Sequence, residues 1–107
     1  MILAENRVPF GDIFVPEADF ENCDSQIWFI AQQLQYYLAR ITLAPFEIGV
    51  NKGENADGIY INSDKSYADD VFFINTADGK LFIKGGKRGV IYGGFELLEI
   101  AGCRFFA

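Results

Sequence analysis

The feature that most constrains this fold is a stretch near the carboxyl end, Asp78 to Phe106, which reads DGKLFIKGGKRGVIYGGFELLEIAGCRFF. It opens with Asp78-Gly79, a pair typical of a tight β-hairpin turn, because both central positions of that turn need a positive φ. Leu81 to Lys84 then alternates in the two-residue period of a strand. We therefore predict a hairpin whose other strand is Val71 to Asn75.

The residues after this strand predict a sharp turn into a helix. Gly85 and Gly86 permit a strand-to-helix turn that a Cβ atom would obstruct. Gly93 and Gly94 lie inside the helix and each cost about 1 kcal/mol relative to alanine, so we expect a close backbone approach there. From Lys87 to Ile100 the apolar period is helical, and the face predicted to be buried carries Val90, Leu97, Leu98 and Ala101. Gly102 is predicted to cap this helix, before a strand-like tail.

The upstream residues predict one further helix and several strands. After a leader at 1–11, strands are predicted at Asp12–Val15, near Phe46–Val50 and at Gly58–Ile61. The helix begins after a cap at Asp24 or Ser25 and runs to about Arg40 or Ile41, with a buried stripe of Ile27, Ile30, Ala31, Leu34, Leu38 and Ile41. This order predicts a single α+β domain over residues 1–107 in two layers, with one mixed, mostly antiparallel sheet of about five strands and both helices on one face.

Composition and charge exclude several classes of function. The chain has 107 residues, a formal net charge of −6 and no histidine. The negative charge disfavours nucleic-acid binding, and no apolar run is long enough for a transmembrane helix. Without histidine a Ser-His triad is excluded and the commonest metal ligand is missing. We expect no catalytic residue, metal or cofactor, and we favour free thiols at Cys23 and Cys103 over a disulfide.

The last third of the chain resembles a known family. DDVFFINTADGKLFIKGGKRGVIYGGFELLEIAGCRFFA is similar to the N-terminal domain that precedes the catalytic barrel in alpha-glucuronidase-type glycoside hydrolases. Related non-catalytic domains precede the barrels of beta-N-acetylhexosaminidases and alpha-N-acetylglucosaminidases. Leu34–Leu38, followed by Ile41-Thr42, resembles the first helix of that domain, although the segment after Thr42 lacks the usual glycine. The motif that carries the resemblance is Gly85-Gly86, Arg88-Gly89, Tyr92-Gly93, Leu98-Glu99 and Gly102-Cys103-Arg104.

The resemblance implies a non-catalytic accessory domain that packs against a catalytic barrel, in the same chain or in another. In that family both helices lie between their own sheet and the barrel. The outward residues expected to dock are Phe29, Tyr36, Arg88, Tyr92 and Glu96, and the glycines of the structural elbow are Gly85, Gly86, Gly89 and Gly93. Family members are often secreted or periplasmic, whereas Met1–Ala4 is too short and lacks the basic flank of a signal peptide.

Other interpretations remain open at this point. The N–H groups of residues 85–89 could hold an anion at the helix start, although a purely structural turn is favoured. Glu96 and Glu99 are spaced as helix neighbours, which we interpret as a solvated or docking face rather than a glycosidase pair. The chain could instead be a carbohydrate-binding module that stacks sugars on Trp28 or tyrosines. It could also be a self-associating scaffold, if the sheet face that carries Phe14, Phe73 and Phe82 is uncovered.

Overall fold

The computed structural model describes residues 4–5, 8–9, 11–53 and 56–101 of the chain. The leader contains a two-stranded antiparallel ribbon, β1 (Ala4–Glu5) and β2 (Val8–Pro9), which the sequence did not predict. The remaining elements in chain order are β3 (Asp12–Val15), α1 (Gln26–Thr42), β4 (Ile48–Val50), β5 (Gly58–Ser63), β6 (Phe72–Ala77), β7 (Lys80–Gly85) and α2 (Gly89–Ile100). The predicted closing tail and the Gly102 cap lie outside the described residues.

The main sheet has five strands in the order β4-β3-β5-β7-β6, which confirms a mixed sheet of the predicted size. The expectation that it is mostly antiparallel is wrong, because β3 pairs in parallel with both β4 and β5, and β5 pairs in parallel with β7. Among the described strands of this sheet, β6 and β7 are the one antiparallel pair. The burial of β5 fits this arrangement: its first four residues are all buried, as is typical of a central strand with a parallel neighbour on each edge.

The predicted hairpin is confirmed, with β6 and β7 on either side of a two-residue turn. β6 lies one to two residues later than the predicted Val71 to Asn75, and β7 exceeds the predicted Leu81 to Lys84 by one residue at each end. Asp78 and Gly79 have φ values of 49° and 78°, the positive values that this turn requires. The register places Ala77 opposite Lys80 and Phe72 opposite Gly85. A six-residue antiparallel pair therefore forms the end of the sheet, with β6 as its outermost strand.

Both helices cover one face of the sheet, as predicted. Ile13, Ile59, Leu81 and Ile83 point from successive strands into a core shared with the two helices. The α1 stripe is confirmed at Ile27, Ile30, Ala31, Leu34 and Leu38, whereas Ile41 is only half-buried. Full burial of one such leucine or isoleucine contributes about 1.5–3 kcal/mol. This core fixes the two helices side by side, so that their first turns lie near the carboxyl ends of the parallel strands.

The residue that caps the start of α1 is a favourable one, whereas the residue that caps its end is not. Ser25 is the N-cap: its hydroxyl accepts a hydrogen bond from the Trp28 amide at 3.1 Å, which settles the choice between Asp24 and Ser25. At the other end Leu43 takes the left-handed conformation with φ 59° and is exposed. Glycine is the usual residue at such a position, and the resembled family carries one in this segment. The chain therefore accepts backbone strain at Leu43.

Candidate docking surface and polar crevice

The turn between β7 and α2, residues 85–89, is held by hydrogen bonds to the backbone of residues 68–71. The Gly86 amide donates to the Val71 carbonyl at 2.9 Å, and the Arg88 and Gly89 amides donate to the Asp69 carbonyl at 2.9 and 2.7 Å. Because these three donors already have protein acceptors, they are not available to an anion. The geometry thus favours the structural interpretation of this turn over the anion-site interpretation.

The glycines of this elbow lie where a side chain has no room. A Cβ atom at Gly89 would meet the Val71 carbonyl, and one at Gly86 would meet the Ala68 carbonyl. One at Gly85 would also meet the Val71 carbonyl, while one at Gly93 would lie 2.8 Å from the Ile83 methyl group. At Gly85, Gly86 and Gly89 the elbow therefore depends on direct backbone-to-backbone packing, which only glycine permits at such distances. The close backbone approach predicted at Gly93 and Gly94 is wrong, because the near neighbours there are the side chains of Ile83 and Ile30.

Arg88 lies at the outer rim of the elbow. Its Nε is 3.1 Å from the Asp70 carboxylate, and the two side chains are 56% and 63% exposed. A pair this exposed contributes at most about 1 kcal/mol. Arg88 therefore braces the turn at residues 68–71 from the surface, and part of its guanidinium stays open to solvent.

The outer side of α2 and the edge strand β6 enclose an apolar groove of about 460 Å³, which we call the α2 groove. Its walls are Phe72 of β6 and Tyr92, Phe95, Glu96 and Glu99 of α2. Tyr92 is 45% exposed, so a large aromatic surface lies open beside two carboxylates. An exposed apolar patch with a polar rim is typical of an interaction surface.

The five residues predicted to dock fall into three places. Tyr92 and Glu96 both line the α2 groove, whereas Arg88 lies at the elbow. Phe29 and Tyr36 are exposed on α1, at 44% and 56%, and neither of them lines the α2 groove. The Tyr36 ring contacts Tyr37 edge-on and lies 5.4 Å from the Arg40 guanidinium.

Sequence reasoning missed two residues of the α2 groove, Phe72 and Phe95, whereas Glu99 was expected beside Glu96 on a solvated or docking face. Phe95 lies three positions after Tyr92 and could have been grouped with it by helical spacing. Phe72 could not, because its place depends on α2 packing against β6, a contact between distant parts of the chain. The register of the hairpin then turns Phe72 toward the helices and Phe73 toward the opposite face of the sheet.

A second concave surface lies at the carboxyl ends of β5 and β7, beside the first turn of α1. This polar crevice has a volume of about 350 Å³ and is lined by residues from three separate segments, 19–27, 63–69 and 87–90. Open sheets with parallel strands commonly bind ligands at this edge. Its charged residues are Asp19, Asp24, Asp64, Asp69, Lys65 and Lys87.

Two of the crevice acids are engaged in local hydrogen bonds. Asp64 accepts from the Ser66 amide at 2.8 Å, and this bond, with a further one from the Ser66 hydroxyl, holds the pKa of Asp64 below its usual value. Asp19 accepts from the Ser25 hydroxyl at 2.7 Å. A general acid of a glycosidase needs a raised pKa instead, so Asp64 is unsuited to that role.

The face of the sheet opposite the helices carries a row of stacked aromatic rings. Phe14 and Phe82 flank Tyr60, with ring centroids 4.8 and 5.4 Å from it at nearly parallel angles. Tyr60 is 1% exposed, and its hydroxyl donates to the Ala56 carbonyl at 2.5 Å. Phe73 lies on the same face and is 48% exposed. Phe14, Phe73 and Phe82 thus lie on this face, as predicted. Tyr60, at the centre of the row of rings, was not identified from the sequence.

Other functional features are limited in the part of the chain that the structure describes. No group of three acidic or cysteine side chains there is arranged to hold a metal ion. None of the described helices is long and apolar enough to cross a bilayer. Cys23 is an exposed, free thiol, while Cys103 lies outside the described residues.

Comparison with known proteins gives one informative likeness. The sequence matches no protein-family model and no curated protein. Among solved structures, a GH138 enzyme targeting pectin rhamnogalacturonan II matches with a TM-score of 0.51 and 21% identity, over 83% of this chain and 13% of that enzyme. At this identity the likeness shows the fold alone. The chain therefore has a fold that also occurs within a glycoside hydrolase, and it spans only a small part of that enzyme's length.

Proposed function

We propose that this chain is a non-catalytic accessory domain of a carbohydrate-active glycoside hydrolase. In this role it packs against a catalytic barrel, which these 107 residues do not contain, since such a barrel takes about 250 residues. The observation that carries the proposal is the likeness to a segment making up 13% of a GH138 enzyme. A fold that occupies so small a share of an enzyme is suited to a supporting role.

We also propose which type of glycoside hydrolase this domain comes from. The elbow motif, from Gly85-Gly86 through Tyr92-Gly93, supports a domain of the alpha-glucuronidase or beta-N-acetylhexosaminidase type. The packing of this elbow against residues 68–71 gives the motif a physical basis, because a side chain at Gly85, Gly86 or Gly89 would strike a backbone carbonyl. The motif therefore preserves the angle between β7 and α2, which sets how the outer side of α2 is presented to a partner.

The α2 groove supports a packing role for this domain. A catalytic barrel that covered Tyr92 and Phe72 would remove aromatic surface from water, and each aromatic ring contributes a large buried area. Phe29 and Tyr36 on α1 would then lie on a second, separate part of the same contact or at its margin. Arg88, with its partly open guanidinium, suits a rim position where it can meet an acidic group.

The proposal is tested by assaying the chain on aryl glycosides of glucuronic acid, N-acetylglucosamine and galacturonic acid. The control is a known glycosidase for each substrate at the same concentration. We expect release of the aryl group no faster than in buffer. Turnover comparable to that of the control enzymes, lost in an Asp19→Asn or Asp64→Asn variant, would contradict the non-catalytic role.

A second candidate function is carbohydrate binding in the polar crevice. Tyr67 gives the crevice an aromatic wall beside carboxylates and ammonium groups, a combination that suits the faces and hydroxyls of sugars. Four aspartates face two lysines there, so neutral sugars are favoured over uronic acids. Titration with neutral oligosaccharides and with glucuronate, followed by isothermal calorimetry, tests this, because Trp28 does not line the crevice and its fluorescence is not a direct readout. Binding of neutral sugars in preference to glucuronate, and its loss in the Tyr67→Ala variant, would support a carbohydrate-binding module. The absence of binding at millimolar sugar would contradict it.

A further inference from the structure

The outermost strand of the sheet, β6, combines three features that point to a partner strand. It lies at the end of the strand order, and no described residue pairs with its outer edge. Its sequence is FFINTA, without a charge, proline or glycine. Natural sheets blunt open edges with lysine, proline, bulges or short strands. A six-residue edge with none of these devices is suited to receive another strand.

The hairpin register shows which backbone groups of β6 point outward. In a two-residue hairpin the residues that flank the turn exchange hydrogen bonds, and the bonded pairs alternate along the ladder. Ala77, Asn75 and Phe73 are therefore bonded to β7, and the bond from the Gly86 amide to the Val71 carbonyl continues the same phase. The amides and carbonyls of residues 72, 74 and 76 consequently face away from β7.

Both sides of this edge carry exposed apolar surface. On the helix side lies the α2 groove, with Phe72, Tyr92 and the carboxylates of Glu96 and Glu99. On the other side Phe73 is 48% exposed, and its ring lies 5.3 Å from that of Tyr67. A strand added to β6 would place alternate side chains on these two different surfaces.

The charges of the groove decide what kind of strand fits. A second copy pairing through its own β6 would bring Glu96 and Glu99 of both copies to one seam, and each chain has a net charge of −6. Such like-charge contact opposes self-pairing. A strand with lysine or arginine on the helix side would instead lay its aliphatic stem over Phe72 and its charge beside the glutamates. Apolar residues on the other side would cover Phe73.

We propose that the outer edge of β6 binds an extended strand of a partner by β-strand addition, and that this strand alternates basic residues, facing the α2 groove, with apolar ones. This mode of recognition uses main-chain hydrogen bonds for affinity and alternate side chains for selectivity. It deepens the accessory role, in whose contact surface the α2 groove lies, because it names the edge, the bonding groups and the side-chain pattern of the partner strand.

The test is a titration of the ¹⁵N-labelled chain with the blocked peptide KVKVKV, followed by amide chemical shifts. We expect saturable shifts that are largest at residues 72–77, with the amides of Ile74 and Thr76 becoming protected from exchange. The peptide EVEVEV is the charge control and should bind about tenfold more weakly or not at all. No saturable shift with KVKVKV, or shifts centred elsewhere, would overturn the proposal.

Two variants of Thr76 separate edge pairing from general loss of structure. Thr76→Pro removes one outward amide but leaves the bonds to β7, because proline is tolerated at an edge whose N–H faces solvent. Thr76→Val keeps that amide and is the matched control. We expect the proline variant to weaken KVKVKV binding about tenfold while the valine variant binds normally. Equal binding by both, with both folded, would overturn the strand-addition geometry.

Two further outcomes would also overturn the proposal. Concentration-dependent shifts at β6 without peptide, with dimers in sedimentation, would identify a second copy as the occupant. Unchanged KVKVKV affinity in a Glu96→Gln, Glu99→Gln double variant would show that the groove charges do not select the partner. Glycosidase turnover by the chain would instead contradict only the accessory role, so the two proposals fail separately.

Discussion

Replacing Gly89 with alanine is the sharpest test of how the elbow is built. On helix propensity alone the change would stabilise the protein by up to about 1 kcal/mol. However, the new Cβ would meet the Val71 carbonyl, a backbone group that also accepts the Gly86 amide. Relief would require the elbow to move away from residues 68–71 and to weaken the bond from the Gly89 amide to Asp69.

The magnitude follows from the groups that would separate. Two backbone hydrogen bonds contribute about 1 kcal/mol each, and leaving the Val71 carbonyl unsatisfied costs about 1–3 kcal/mol. After the gain of up to about 1 kcal/mol in helix propensity, we expect Gly89→Ala to lower the free energy of unfolding by about 2–4 kcal/mol. For a chain of this length the midpoint of thermal unfolding should fall by at least about 8 °C.

The assay is thermal and urea unfolding followed by circular dichroism, with Lys87→Ala as the matched control. Lys87 is exposed in the same turn, so its replacement should change the stability by less than about 0.5 kcal/mol. If Gly89→Ala were as stable as the parent or more stable, the contact with Val71 would not be tight. The account of the elbow as a direct backbone contact would then be refuted.

Three other substitutions test separate features. Leu43→Gly should raise the free energy of unfolding by about 1 kcal/mol, because it removes left-handed strain at an exposed position; Leu43→Ala, which keeps a Cβ, should give no such gain in urea unfolding. Ser25→Ala should cost about 1 kcal/mol through loss of the cap on the Trp28 amide, and an unchanged urea midpoint would contradict that cap. Asp64→Asn should destabilise the chain at pH 7 but progressively less as the pH falls below about 4, because a lowered pKa contributes stability only while the carboxylate is ionised. Urea midpoints at several pH values check this, and a gap between parent and variant that widens on acidification would contradict the bond from Ser66.

Local signals in the sequence predicted much of the fold. The Asp78-Gly79 turn, the α1 stripe and the glycine elbow each depend on residues close in the chain, and all were located correctly. The parallel pairing of β3, β5 and β7 was not predicted. The relative direction of two paired strands depends on the path of the chain between them, which local residue patterns do not show. The short polar loops before and after β5 look like hairpin loops in sequence. In space each of them passes over one strand, because β3 lies between β4 and β5 and β7 lies between β5 and β6.

The candidate surfaces were predictable only in part. Tyr92 and Glu96 were identified because helical spacing turns them away from the core, and the structure places both in the α2 groove. Phe72 was not identified, because its role arises from a helix packing beside an edge strand. The polar crevice was missed entirely, since it joins three segments that are far apart in the sequence.

Strand addition at β6 requires that the outer edge of this strand be open for a partner. Amide hydrogen exchange of the chain alone, measured residue by residue by NMR, tests this. If the edge is open, the exchange rates of the amides should alternate along β6. The Ile74 and Thr76 amides should exchange at least about tenfold faster than the Phe73 and Asn75 amides, because the latter are bonded to β7. Equal protection of all four amides in the monomer would show that the edge is already covered, and would contradict the account.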